Sequence, residues 1–132
     1  KMNFAKYFTR GLKSTLRLLN GVQFSYHGPW ISAGTNTVID EWFVGDFASA
    51  DYTISVDYDT TRKEAIKCLV VACPHTAQAT VYARTNTGTD LVEITASVDA
   101  GRVYVKASKL NNLGGKLIFS VNYYKTINEL SL

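Results

Sequence analysis

Residues Leu91–Leu110, LVEITASVDAGRVYVKASKL, alternate apolar and polar side chains twice around a short break. Val92, Ile94, Ala96 and Val98 share one parity, and Glu93, Thr95, Ser97 and Asp99 take the other. A strand sends successive side chains to opposite faces, so the segment predicts a half-buried strand. Asp99-Ala100-Gly101 predicts the turn, with Gly101 supplying the positive φ of a tight hairpin. Val103, Val105 and Ala107 then point inward against Arg102, Tyr104, Lys106 and Ser108, which completes a β-hairpin.

Further strands surround it. Val38–Val44 is apolar but loses its alternation at Asp40 and Glu41. Asp51–Tyr58 alternates with Tyr52, Ile54, Val56 and Tyr58 on one face. Ala65–Cys73 is almost wholly apolar, the pattern of a strand covered on both faces, and Pro74 ends it. Gln78–Arg84 sets Ala79, Val81 and Ala83 against Thr80, Tyr82 and Arg84. Turns are predicted at Thr85–Asp90 and Asn111–Gly115, and Lys116–Tyr123 places Leu117, Phe119, Val121 and Tyr123 inward. About seven short strands punctuated by turns predict a mainly β fold, an antiparallel β-sandwich of jelly-roll or Ig-like type, or a partly closed barrel.

The first nineteen residues have a different period. At about 100° per residue, Phe4, Ala5, Phe8, Leu12, Leu16 and Leu19 share an arc of roughly 120°, with Lys6, Arg10, Lys13 and Arg17 within roughly 60° on the opposite side. This predicts an amphipathic helix stopped by Asn20-Gly21. It would lie across its own sheet, or act as an anchor in an acidic neighbour, a nucleic-acid contact or an interfacial membrane helix. Aromatics do not interleave with the basic residues, and the stripe is short, so nucleic acid is disfavoured. Gly21–Thr37, with Gly28-Pro29 and a Gly/Thr/Asn run, predicts a loop or connecting arm. In it Trp30 would pin the arm to its own domain or stack on a sugar. The expected division is a helical arm and connector over 1–34 and a sandwich over 35–132.

With 132 residues and 46% hydrophobic content, a single packed core is expected. The net charge of +3 is unevenly placed: Lys1, Lys6, Arg10, Lys13 and Arg17 all precede the first acid, Asp40. The remainder carries an excess of acids, so the cationic character belongs to the arm. Cys68 and Cys73 have opposite strand parity, which predicts two free thiols, as in a reducing compartment or a particle assembled inside a cell. The early charges interrupt any secretory signal, and no run is apolar enough to span a membrane. The opening Lys1-Met2 suggests a start further upstream.

Reactive chemistry is sparse. His27 and His75 have no neighbouring nucleophile and there is no G-x-S-x-G elbow. Cys68, Cys73 and His75 lack a fourth zinc ligand, and Asp57-Tyr58-Asp59 lacks the ligand count and glycine of a calcium loop. Gly114-Gly115 lies between strands, not before a helix. No enzyme, cofactor or metal is expected.

The strands Val38-Ile39-Asp40-Glu41-Trp42-Phe43 and Ala50-Asp51-Tyr52-Thr53-Ile54-Ser55-Val56 resemble a "V-D-S-F" strand followed by an "A-x-Y-x-V-x-V" strand. Together with Lys67–Val71, Ala79–Thr85 and Phe119–Ile127, they resemble a β-domain of virion structural proteins from tailed marine phages, cyanophages in particular, over residues 35 to 128. The resemblance implies a non-enzymatic virion subunit of capsid, neck, tail or baseplate. Its partners would be other virion proteins and symmetry copies of itself. On that reading Phe4, Phe8, Leu12, Leu16 and Leu19 dock the arm to a neighbour, and Lys6, Arg10, Lys13 and Arg17 meet an acidic surface. The alternative is a carbohydrate-binding module using Trp30, Trp42, Tyr82, Tyr104, Tyr123 and Tyr124, with Tyr82 and Tyr104 as the outward candidates. A host glycan is compatible with both readings.

Overall fold

The computed structural model describes residues 15–18, 21–31, 36–110 and 112–126, the first two segments through their backbone alone. Nine strands follow in chain order: β1 Thr15–Leu18, β2 Gly21–Ile31, β3 Thr37–Phe43, β4 Phe47–Asp57, β5 Lys63–Cys73, β6 Thr76–Asn86, β7 Val92–Asp99, β8 Arg102–Lys109 and β9 Gly115–Lys125. They form a six-stranded sheet in the order β1-β2-β9-β4-β5-β6 and a three-stranded sheet in the order β3-β8-β7. Every pairing is antiparallel. The seven strands expected from alternation are β3 to β9.

Two expectations at the N-terminal end are corrected. Leu16 and Arg17, placed on the predicted helix, lie in β1, whose backbone pairs with β2. The predicted connector is mostly β2, which pairs with β9 from Gly21 to Ile31. A strand partner satisfies the backbone there despite Gly28-Pro29, and the register shift between His27 and Trp30 falls where proline cannot donate to the ladder. Phe4, Lys6, Phe8, Arg10, Leu12, Lys13 and Leu19 lie outside the described residues, as does the expected boundary at 34/35.

The core lies between the sheets. From the large sheet come Tyr52, Ile54, Val56, Ile66, Cys68, Val70, Leu117, Phe119, Val121 and Tyr123; from the small one Ile39, Trp42, Val92, Ile94, Val103, Val105 and Ala107. Trp42 meets Tyr123 edge-on at 5.6 Å between ring centroids, and Phe47 stacks on Tyr123 at 4.7 Å. Such aromatic pairs add about 0.5–1.5 kcal/mol each beyond area burial.

Bulges explain where alternation misleads. In β3, Val38 pairs with Lys106 and Asp40 with Val105, so Ile39 is the extra residue and both Ile39 and Asp40 turn inward. In β6, Val81 pairs with Cys68 and Ala83 with Lys67, leaving Tyr82 as the extra residue. Past it the parity flips: Ala83 is exposed and Arg84 turns toward the buried Glu64, the reverse of the simple alternation. A one-residue insertion exchanges the two faces of everything beyond it. At the β7–β8 turn both Ala100 (φ 51°) and Gly101 (φ 78°) have positive φ, as a two-residue hairpin loop requires.

Two buried carboxylates cross between the sheets. Glu64 of β5 accepts hydrogen bonds from the amides of Leu91 (3.1 Å) and Val92 (3.2 Å), and from Arg84 Nη1 (2.7 Å) and Asn86 Nδ2 (3.3 Å). Asp40 of β3 accepts from Tyr52 OH of β4 (2.7 Å) and from Tyr123 OH of β9. Burial, and then the charge of Asp40, push the Tyr52 phenol well above its ordinary pKa, so it remains a donor.

Because the Glu64 side chain is fully buried, removing it strands two backbone amides and takes from Arg84 its closest charged partner. Glu64→Ala is expected to cost about 3–5 kcal/mol in urea denaturation. A loss under about 1 kcal/mol would mean that the carboxylate does not join the sheets.

Candidate functional site

The small sheet covers one side of the large one; the other side carries the uncovered apolar residues. Ala65–Cys73 was expected to be covered on both faces, and this is corrected. Ile66, Cys68 and Val70 are buried, whereas Leu69 and Val71 are 50% and 55% exposed. Among the described residues, only the inner face of β5 meets a second layer. On the same outer face stand Tyr82 (48% exposed), Ile118 (52%) and Tyr124 (42%).

Strand register orders this surface into rows. Gln78, Val71, Ser49 and Tyr124 are cross-strand neighbours in one row, and Thr80, Leu69, Asp51 and Asn122 in the next. Lys67 and Thr53 follow in a third, joined by a bond from Lys67 Nζ to Thr53 Oγ1 of 3.0 Å. Tyr82 reaches across β5 to donate its hydroxyl to Asp51 Oδ1 at 2.9 Å, and this bond pushes its pKa upward. The first two rows contain a single charge, Asp51. They form an apolar and hydroxyl-rich surface that can bind by contact and hydrogen bonding, without a nucleophile or an acid–base pair.

The six aromatic candidates separate. Trp42 and Tyr123 are core residues; Trp42 Nε1 is buried with no hydrogen-bond partner among the described residues. Tyr82 and Tyr124 share the outer face of the large sheet. Tyr104 is half-buried on the opposite side of the sandwich, with Lys106 Nζ 5.9 Å from its ring centroid, so Tyr82 and Tyr104 cannot line one site. Trp30 lies in β2. Leu69, Val71 and Ile118 were missed; the signal was the apolar outer parity of β5, read as evidence of burial.

Several of the remaining titratable residues close turns or lie in the core. Asp59 Oδ1 accepts from the amides of Thr61 (2.9 Å) and Arg62 (2.8 Å), and Arg62 pairs with its other oxygen. The Thr61 amide foremost, with Arg62, lowers its pKa to about 2. Asp57 pairs with Lys63. Cys68 is buried and its thiol is pushed up to about 11 by desolvation, while Cys73 is exposed; both are free. Among the described residues no group of three or more His, Cys, Asp or Glu is placed to hold a metal, and no helix is long and apolar enough to cross a membrane.

No protein-family model matches the chain, and no curated protein matches it in sequence. Solved structures do share its fold. The tailspike protein of Acinetobacter baumannii phage AM24 superposes with a TM-score of 0.51 at 11% identity, covering 84% of this chain and 28% of the tailspike. The tailspike of Acinetobacter phage vB_ApiP_P1 gives 0.52 at 9% identity, over 78% of this chain and 21% of the tailspike. The chain thus spans about a quarter of the length of these proteins, and at such identity the likeness is one of fold.

Asp59 gives the turn a pH dependence of definite sign. Its folded pKa lies below the ordinary 3.8, so its contribution is present above about pH 4 and is lost as pH falls through about 2. Asp59→Asn is expected to flatten the acid limb of the urea midpoint against pH. Unchanged slopes would show that the turn is not coupled to folding.

Proposed function

We propose that this chain is a non-enzymatic structural β-sandwich of a phage virion, belonging to a tail-associated protein rather than a capsid. The observation that carries this reading is the fold shared with segments of two tailspikes over 84% and 78% of the chain. Fold alone does not fix function, but the chemistry agrees. The buried carboxylates Asp40 and Glu64 hold the sheets together, and Asp57 and Asp59 hold a turn. The resemblance of the strands to marine tailed-phage virion domains supports the same class. Of the two sandwich types, the jelly roll fits better: β9 lies between β2 and β4 in one sheet while β8 pairs with β3 in the other, a nesting of strand pairs typical of that type.

In this proposal the segment before β1 docks the sandwich to a neighbouring virion subunit. Phe4, Phe8 and Leu12 supply apolar contact, and Lys6, Arg10 and Lys13 meet acidic surface. Leu16 and Arg17, being in β1, would fix the root of the arm, and Leu19 lies just beyond it. Light scattering on the full chain and on a chain lacking residues 1–14 tests this. Mixed with a neighbouring virion protein, the full chain is expected to bind it, and the truncated one to lose that binding while keeping its fold. Equal behaviour of the two would remove the arm from the proposal.

A second reading, glycan binding, draws on Tyr82 alone among the outward candidates. It is exposed, and its hydroxyl and Asp51 present polar atoms beside the ring. If it is correct, a glycan array shows binding by the isolated chain that Tyr82→Ala reduces at least tenfold and Tyr104→Ala leaves unchanged. Binding insensitive to Tyr82 would end this reading.

A further inference from the structure

The large sheet ends at β6, and among the described residues no strand pairs with its outer edge. An edge of this length presents a row of unpaired N–H and C=O groups, and soluble proteins usually blunt such edges with lysine, proline or short strands. β6 runs for eleven residues, TAQATVYARTN, with neither lysine nor proline. Its one charged residue, Arg84, is turned inward to Glu64 at 2.7 Å. The bulge at Tyr82 irregularises the far end, but Thr76–Val81 is regular.

Both flanks of this edge are apolar and incompletely covered. Outside stand Leu69, Val71 and Tyr82, each about half exposed. Inside, Ala77, Ala79 and Val81 are only half-buried, because the small sheet does not extend fully over β6. Hydrogen-bonding groups, an outer patch and an inner overhang therefore coincide at one end of the sandwich.

We propose that the β6 edge is an interface between two copies of this chain, which pair their β6 strands antiparallel across a twofold axis and continue the sheet from one copy into the other. The chemistry that an open edge selects is another extended strand. β6 is complementary to itself. With the axis at Ala79, Gln78 faces Thr80 of the second copy on the outer side, and Ala77 faces its Val81 on the inner side. Each side thus meets its own kind, amide against hydroxyl and methyl against isopropyl. Arg84 is already neutralised by Glu64, so the edge brings no like charges together. Leu69 and Val71 of each copy stay one strand back from the seam, and Tyr82 leans over β5 toward Asp51, so the backbone pairing and the β6 side chains themselves carry the contact.

The interface is independent of the N-terminal arm, and the test separates the two. The double substitution Gln78→Lys, Thr80→Lys puts lysines opposite lysines across the axis, at two exposed positions where the fold of the single copy is not strained. Ser55→Lys, exposed on β4 of the same face, is the control. Light scattering of the full chain over a concentration series is expected to give twice the 14.6 kDa chain mass at the upper end. The double variant is expected to remain at the single-chain mass with an unchanged circular dichroism spectrum, and Ser55→Lys to behave as the parent. Hydrogen exchange of the Thr76–Val81 amides should slow with concentration in the parent only. A parent that stays monomeric, or a double variant that still dimerises, overturns the proposal. So does a dimer that is lost on removing residues 1–14 but kept in the double variant, an outcome that assigns association to the arm.

Discussion

Two buried carboxylates, each carried by one sheet and accepting hydrogen bonds from the other, are the ties on which the sandwich depends. Glu64 reaches from β5 to the amides that begin β7, and Asp40 reaches from β3 to phenols on β4 and β9. Apolar packing between sheets is tolerant of sliding, because methyl groups accept many neighbours. A carboxylate in a dry interior is not tolerant, since losing its donors leaves a charge or a polar group uncompensated. These ties act in opposite senses and involve different strands, so together they restrict both the offset and the rotation of one sheet on the other. The aromatic cluster of Trp42, Phe47, Tyr52, Phe119 and Tyr123 fills the space around Asp40 and keeps water from competing for it.

Much of the β-sandwich was legible in the chain. The β7–β8 hairpin is the clearest case: its alternation, its turn and its inward residues all agree, and the buried positions Val92, Ile94, Val103, Val105 and Ala107 follow. What alternation could not reveal was where it changes phase. The extra residues Ile39 and Tyr82 are chemically ordinary, and each is visible as a bulge only once its partner strand is known. β2 was hidden for the opposite reason. Gly28-Pro29 is a local signal for a loop, yet a long partner strand, β9, compensates for the missing donor. The apolar outer parity of β5 was seen correctly and interpreted too narrowly, because hydrophobicity reports a tendency to be covered without saying by what.

The likeness to tailspike segments and the side-chain chemistry of the described residues concern different things. The first concerns the path of the backbone and is shared over most of this chain. The second concerns side chains: the acids of the described residues whose contacts are clearest serve as cross-links and turn closures. The surface of the described residues is uneven. The outer face of the large sheet is apolar and hydroxyl-rich toward β5 and β6. The outer face of the small sheet is held by ion pairing and ring contacts, with Arg102 bonded to Glu41 and seated over Phe43.

The position of β9 also bears on how the chain comes to be folded. β9 is the last strand described, yet it lies inside the large sheet, with β2 on one side and β4 on the other. Until residues 115–125 have been synthesised and have emerged from the ribosome, β2 and β4 have no strand between them, and Tyr52 of β4 lacks the Phe119 ring that packs against it at 5.5 Å. The β4–β5–β6 meander and the β7–β8 hairpin can form early because their pairings are local. Closure of the sheet must wait for β9, so the nascent protein passes through a stage in which its most apolar strands are made but unsheltered. When synthesis is fast, that interval is when a chaperone would have to act.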